Sequence, residues 1–321
     1  MEFPCNLMAL ADRVTDDVDA YLLLEDLRWG GEPVCPHCNA GNPYFLKPAN
    51  GSSRKTRTGS MSVRRVWKCR SCRKQFSVLT GTIFHGTKIS IRTWLFVIFE
   101  MCASKNGVAA REIERKYNLT PKTAWYMLHR IREAMKREPL ASMLTGTVVS
   151  DETYIGGKPK NRHGHRYGKG GQGQSDKTPV VSRVSADSGE VRSFVVDRVT
   201  RSNITDVLTS NIDQNAVIHT DESSVYTPVG ATFAGHETVH HGEYEYVRNG
   251  VSTNPAEGYF SQLKRSLDGT HHHVSVRHLL RYLAEHDFRY STRKLSDGAR
   301  SESLIAQTTG RRLAYRPLAE G

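Results

Sequence analysis

A chain of 321 residues is long enough for two or three domains, at least one with a sizeable core. Its 45 Lys+Arg against 33 Asp+Glu leave a formal net charge of +12 and a pI near 9.5, which points to a polyanionic partner. Apolar runs fall well short of the ~18 residues of a membrane span, and the N-terminus turns acidic at Asp16-Asp17-Val18-Asp19 instead of carrying a basic-then-apolar signal, so a cytoplasmic protein with no membrane partner is expected.

Residues 1–30 read as a helical cap, with Leu7, Leu10, Val14, Val18, Tyr21, Leu22 and Leu27 at roughly helical spacing. Residues 31–80 carry Cys35-Pro36-His37-Cys38 and Cys69-Arg70-Ser71-Cys72. Two thiolates separated by two residues bind one metal from a single tight turn, and two such knuckles complete a tetrahedral zinc shell. A redox dithiol needs one pair and a thioredoxin-like βαβ context, which is absent. The spacing therefore predicts a zinc ribbon with one structural Zn²⁺ on Cys35, Cys38, Cys69 and Cys72, His37 being a bystander. Between Lys47 and Phe76 stand ten Lys/Arg and no acid, and the Gly/Ser/Arg-rich middle of this loop suits a hairpin tip.

Residues 88–139 predict three helices: Ile91 to Ala103, Val108 to Lys116, and from the Thr120-Pro121 start to about Lys136. The last two, joined by a short turn, have helix-turn-helix spacing. In that arrangement Lys122, Thr123, Tyr126, His129 and Arg130 face outward, toward a DNA major groove. Glu138-Pro139-Leu140 marks a domain boundary.

From 145 to 295 the pattern becomes βββ-α-β-α. Strands are expected at Thr147 to Tyr154, Pro179 to Ala186, Val191 to Val196 and Ala216 to Asp221, with helices at Arg201 to Asn211, around Glu257, and about Val276 to Tyr290. The polar loop from Lys158 to Lys177 is a solvated linker or a DNA-contacting flap. The tail, 296–321, has few apolar residues and is expected to be poorly ordered.

Two strands end in paired acids, Asp151-Glu152 and Asp221-Glu222, and a helix carries Glu257 in its first turn. Such a set suits a divalent-metal site for phosphodiester chemistry, where hard cations are held by a few carboxylates. Strand alternation allows one member of each pair to face the site, and periodicity alone leaves that choice open. Glu257 and Lys264 lie two turns apart on one helix face, which also fits an ordinary amphipathic helix with Ala256, Phe260, Leu263 and Leu267 packed on a sheet.

Taken together, these segments resemble a known family. Ser150-Asp151-Glu152-Thr153-Tyr154-Ile155-Gly156-Gly157-Lys158, His219-Thr220-Asp221-Glu222, Asn254-Pro255-Ala256-Glu257 running into Leu263-Lys264-Arg265, and Gly269-Thr270-His271-His272-His273-Val274-Ser275 are similar to motifs of DDE-type insertion-sequence transposases. The ribbon and helix-turn-helix precede them in the family's order. The resemblance implies an α/β chain of α+β modules: zinc ribbon, helix-turn-helix, then a ribonuclease-H-like mixed-sheet core. It implies Asp151, Asp221 and Glu257 as the catalytic triad holding two Mg²⁺ (or Mn²⁺) ions, with Lys158, Lys264 and Arg265 on DNA. Thirty-five residues separate Asp221 from Glu257, a spacing similar to that of many such enzymes. The implied partners are double-stranded DNA, at element ends and target, and a second copy of the chain in the synaptic complex, on a prokaryotic nucleoid. A nuclease with the same core that cuts without joining, or a DNA-binding regulator derived from a transposase, would share these motifs.

Overall fold

The computed structural model describes residues 2–47, 54–55, 61–62, 64–136, 142–156, 177–240, 247–248 and 250–315; Lys158, most of its loop and the proline boundary at 138–140 lie outside them. The chain divides into two compact units. One comprises Met1–Ser104, Ala110–Met135 and Leu295–Gly321; the other comprises Lys105–Ala109 and Lys136–Lys294.

In the first unit, α1 (Leu7–Arg13) and α2 (Asp17–Trp29) start on Asn6 and Asp16, whose side chains accept the orphan backbone N–H groups of the first turns. Gly30 then ends α2 in the left-handed region, at φ +56°. The short strands β1 (Pro43–Phe45), β2 (Arg54–Lys55), β3 (Met61–Ser62), β4 (Trp67–Cys69) and β5 (Gln75–Phe76) follow. β1, β4 and β5 form an antiparallel sheet, while β2 and β3 pair separately, within the segment expected as a hairpin tip. Little apolar surface holds this ribbon. Trp67 packs edge-on against Trp29 and Phe45, and Trp29 against Phe76. Glu25 of α2 ties it down, accepting from Trp67 Nε1 at 2.9 Å and Arg65 Nε at 2.8 Å.

Next come α3 (Ile91–Ala103), whose Trp94, Leu95, Val97, Ile98 and Met101 are buried, then α4 (Ala110–Tyr117) and α5 (Pro121–Met135). Asn118, at φ +49°, turns the chain between α4 and α5, and Thr120 Oγ1 accepts from the Thr123 backbone. The expected disorder of the whole 296–321 tail is corrected here. A helix at Asp297–Ala306, capped by Ser296, buries Leu304 and Ile305 and packs on α2, α3 and α5. Small residues disguised it: Gly298 sits so close to the Pro4 carbonyl that a Cβ would meet the oxygen at 2.5 Å.

The described residues of the second unit build a five-stranded sheet. Its elements are β6 (Thr147–Ile155), β7 (Thr178–Ser185), β8 (Val191–Val195), α6 (Arg201–Thr209), β9 (Val217–Asp221), α7 (Thr227–Gly230), β10 (Gly235–Val239), the short pair β11 (Val247–Arg248) and β12 (Val251–Ser252), α8 (Asn254–Ser266), a π-helical turn at Leu267–His271, and α9 (Val276–Ser291). The strand order is β8-β7-β6-β9-β10, antiparallel through β6, β7 and β8 and parallel from β6 through β9 to β10. This is the mixed sheet of a ribonuclease-H-like fold, with β10 as a fifth strand that the sequence reading omitted. Alternation divides the core between the faces. Val148, Val181 and Ile218 pack with Ile204 and Leu208 of α6 and with Tyr226 and Val229. Val149, Val180 and Val184 pack with Ala256, Phe260 and Leu263 of α8 and with Leu279 and Leu283 of α9.

Candidate active site

The register of β6 on β9 decides which acids meet. Val148 pairs with Ile218 and Val149 with His219, and two residues beyond the latter pair stand Asp151 and Asp221. Both aspartates share the parity of Val149, so they lie on the α8 face. Glu152 has the opposite parity, and its Oε2 accepts from the buried Tyr226 hydroxyl at 2.5 Å among the α6-side residues. Alternation thus separates Asp151 from Glu152, a choice that periodicity alone left open.

Glu257 enters from above, in the first turn of α8, which begins with Asn254-Pro255, a proline where no helical N–H is needed. Its Oε1 accepts from Thr253 Oγ1 at 3.1 Å. Asp221 Oδ1 accepts from the Ser223 backbone at 3.1 Å. Burial above all, then the like charges of Glu152, Asp221 and Glu257, pushes the Asp151 carboxyl up to about 7, against a 2.7 Å hydrogen bond from the Glu152 backbone. Burial also raises Glu152. Asp151 thus lies within electrostatic reach of Asp221 and Glu257. Among the described residues only the four cysteines already stand close enough to form a metal cluster, while these acids are hard oxygen donors of the kind that hold Mg²⁺.

A second group, which sequence reasoning missed, holds α8 in place. Asp287 of α9 accepts from Tyr259 OH at 2.6 Å and from the Ser193 hydroxyl and backbone at 2.7 and 2.8 Å, and Ser182 bonds Ser193 in turn. Burial pushes the Asp287 carboxyl up to about 6, with the Tyr259 and Ser193 hydrogen bonds pulling the other way. Tyr290 stands edge-on to Tyr259 and reaches the Pro255 carbonyl. The helix that carries Glu257 is therefore clamped to β7, β8 and α9 by polar bonds. Asp287→Ala, which strands three donors, is expected to cost ~2–4 kcal/mol and Tyr259→Phe about half of that, as measured by urea denaturation. A cost below that of an ordinary surface substitution would show that the clamp is idle.

Lys264 and Arg265 are exposed at the last turn of α8. Of the three histidines, His271 packs edge-on to Tyr282, and His272 takes φ +57° with Nδ1 near the Asp268 carbonyl.

In the first unit, the four cysteine sulfurs lie within 4.8 Å of one another, with Cys35 to Cys72 at 3.7 Å and Cys38 to Cys69 at 3.6 Å. Four thiolates at the ~2.3 Å zinc–sulfur distance define a tetrahedron with ~3.8 Å edges, so the cluster fits a zinc ion. Each knuckle is closed alike. Asn39 and Arg73, one residue past the second cysteines, are left-handed, and Cys35 N and Cys69 N donate to the Ala40 and Lys74 carbonyls.

The proposed DNA-facing side of α5 requires correction. Lys122 is exposed and Thr123 half-buried, but His129 and Arg130 are 0% and 5% exposed. The Arg130 guanidinium lies between the Trp94 and Tyr126 rings and donates to the His85 carbonyl at 2.7 Å. Tyr126 donates to the Leu313 carbonyl at 2.5 Å. The face read as open is covered by the chain's own C-terminal segment.

Among the described residues no helix is long and apolar enough to cross a membrane. Residues 143–291 match the ISXO2-like transposase domain, and residues 15–75 match the transposase zinc-ribbon domain. The chain is 25% identical over 276 residues to an uncharacterized protein in transposable element ISH50 of Halobacterium salinarum, a match covering 83% of this chain and 88% of that one. A chain in the cryo-EM structure of the simian T-cell lymphotropic virus intasome in complex with PP2A regulatory subunit B56 gamma matches at 17% identity, over 55% of this chain and 63% of that one, under two thirds of its length, with a TM-score of 0.29. The ribbon match encloses the four-cysteine cluster and the longer match encloses Asp151, Asp221 and α8, in that order along one polypeptide: the chain carries a transposase zinc-ribbon domain followed by an ISXO2-like transposase domain.

Proposed function

We propose that this chain is a DNA transposase that binds the ends of its element, cleaves there to free 3′-hydroxyls and joins them to target DNA. The observation that carries this is the placement on the α8 face of Asp151 and Asp221, on adjacent parallel strands two residues past their last paired position, with Glu257 near enough for its charge to act on Asp151. These three carboxylates would hold two Mg²⁺ or Mn²⁺ ions. Bound there, the ions supply activation of the attacking oxygen and neutralisation of charge on the departing one. The chain's own part is placement. The sheet fixes the two aspartates, the Asp287 clamp fixes α8, and Lys264 and Arg265 offer cations two turns along from Glu257 to an anionic strand. Lys158, just past β6, is assigned to the same DNA. In the first unit, Cys35, Cys38, Cys69 and Cys72 hold one structural zinc, and α4 and α5 act as a helix-turn-helix that presents Lys122 and Thr123 to DNA. Joining two ends requires at least two copies in the reacting complex.

The test is a strand-transfer assay with end-containing oligonucleotides, Mg²⁺ and a supercoiled target. Joined products are expected. Cleaved but unjoined ends would make the chain a nuclease, and end binding without either reaction would make it a regulator.

A further inference from the structure

Residues 309–315 leave the C-terminal helix and run back along α5, from its last turn to its first. Arg311 donates to the Glu133 carbonyl at 3.0 Å, the Leu313 carbonyl accepts from Tyr126, and the Tyr315 ring stands edge-on to Tyr126 with Lys122 Nζ 4.6 Å from its centroid. Upstream, Gly310 N donates to the Gly81 carbonyl at 2.8 Å, and Arg28 donates to Thr309 Oγ1 at 2.8 Å. Thr309 also bridges to Thr82. This segment is anchored along its length, by backbone as well as side-chain bonds. A loose cover would not be.

The anchoring gathers cations. His85, whose carbonyl holds Arg130, lies within electrostatic reach of Arg312 from the segment, Arg130 from α5 and Arg64 from the edge of the ribbon, and burial together with these three charges lowers its pKa. Arg64 and Arg312 are exposed, as is Lys122 at the far end of the strap. Glu133, the acid met by the strap, receives Arg311 at its backbone carbonyl. Cations gathered on one surface favour a polyanionic ligand. Arg130 cannot be the reader, because its guanidinium is committed between two rings.

We propose that the strap of residues 309–315 is part of the DNA-binding surface, its exposed Arg312 acting with the exposed Arg64 and with Lys122 at the strap's far end as contacts to the phosphates of a duplex. The inference rests on the transposase reading for its ligand, and it moves the DNA-facing surface of the first unit from the bare helix to helix plus strap. Phosphate contacts position a protein on DNA without reading sequence, so the surface serves any duplex, element end or target.

The experiment titrates the full-length protein into a fluorescein-labelled random-sequence duplex and follows anisotropy at several salt concentrations. Arg312→Ala and Arg64→Ala are each expected to weaken binding ~3–10-fold, and the double variant to lower the salt slope by about 2, one for each lost phosphate contact. Arg312→Lys should restore most of the affinity. Both residues are exposed, and a thermal melt checks that the variants fold. Tyr315→Ala, which frees the end of the strap, is expected to weaken binding as well. Unchanged affinity and slope in the double variant would overturn the proposal, and tighter binding by Tyr315→Ala would make the strap a lid that DNA displaces. If the wild-type protein bound no duplex, the transposase reading would fall together with this one. Binding that tracks Arg312 and Arg64 in a protein with no joining activity would sustain this inference while sinking the proposed reaction.

Discussion

Asp151→Asn, Asp221→Asn and Glu257→Gln are each expected to cut strand transfer by roughly 10³-fold or more, as loss of a metal-holding carboxylate removes ~4 kcal/mol of charge stabilisation at the reacting phosphate. DNA binding should persist, because the cations assigned to it lie elsewhere. Asp151 carries a further consequence. Its carboxyl is raised from 3.8 to about 7 by burial and neighbouring acids, so its stabilising contribution is complete below 3.8 and is lost as pH rises through about 7. Metal-free wild-type protein should therefore lose stability between pH 5 and pH 8 relative to Asp151→Asn, and the variant should melt higher at pH 8 by the equivalent of ~1–2 kcal/mol after allowance for solvent screening. Mg²⁺ should raise the wild-type melting temperature more than that of the variant. Scanning fluorimetry with EDTA or Mg²⁺ reads all of this. Joining that survives any one amide substitution removes that residue from the triad, and an Asp151→Asn protein less stable than wild type at pH 8 contradicts the electrostatic account.

Removal of zinc is the second large effect. Structural zinc contributes ~10–16 kcal/mol to the folding of small thiolate domains, far more than four rings and one buried glutamate supply to this ribbon. Cys69→Ser, or a strong chelator, is expected to abolish the ribbon fold. Two of the chain's four tryptophans, Trp29 and Trp67, report on it. Their emission should shift red as they are exposed, and Glu25 should lose both of its partners. Near-stoichiometric zinc by elemental analysis is expected, and a chain without it, or with unchanged fluorescence after chelation, refutes the assignment. Because the sheet and α8 lie in the other unit, their amide protection in hydrogen exchange should survive.

The parts of the fold carried by local chemistry were legible. Paired Cys-x-x-Cys spacing, the Thr120-Pro121 helix start, and the valine-rich runs of β6 and β9 each record a constraint within a few residues; β6 runs on past Asp151 to Ile155, so only β9 ends in its aspartate. What stayed hidden depends on partners distant in sequence. β10, Gly-His-Glu-Thr-Val, joins the sheet edge in parallel, so no hairpin turn announces it. The choice between Asp151 and Glu152 needed the face on which Tyr226 lies. Asp287 looked like one more polar residue of an amphipathic helix, since Ser193 and Tyr259 come from two other elements. The α5 error has the same origin. Helical periodicity identifies an apolar face, but it does not reveal that a segment almost two hundred residues downstream will cover the polar one.

That downstream dependence has a consequence for biosynthesis. The helix Asp297–Ala306 completes the unit begun by residue 2. Glu302 accepts from the Phe3 backbone, and Arg300 donates to the Cys102 carbonyl. A ribosome must therefore translate the entire inserted sheet before the N-terminal half can close, and until then the apolar flank of α3 waits uncovered. A messenger cut short by a premature stop yields a polypeptide whose amino-terminal half stays open and is exposed to proteases.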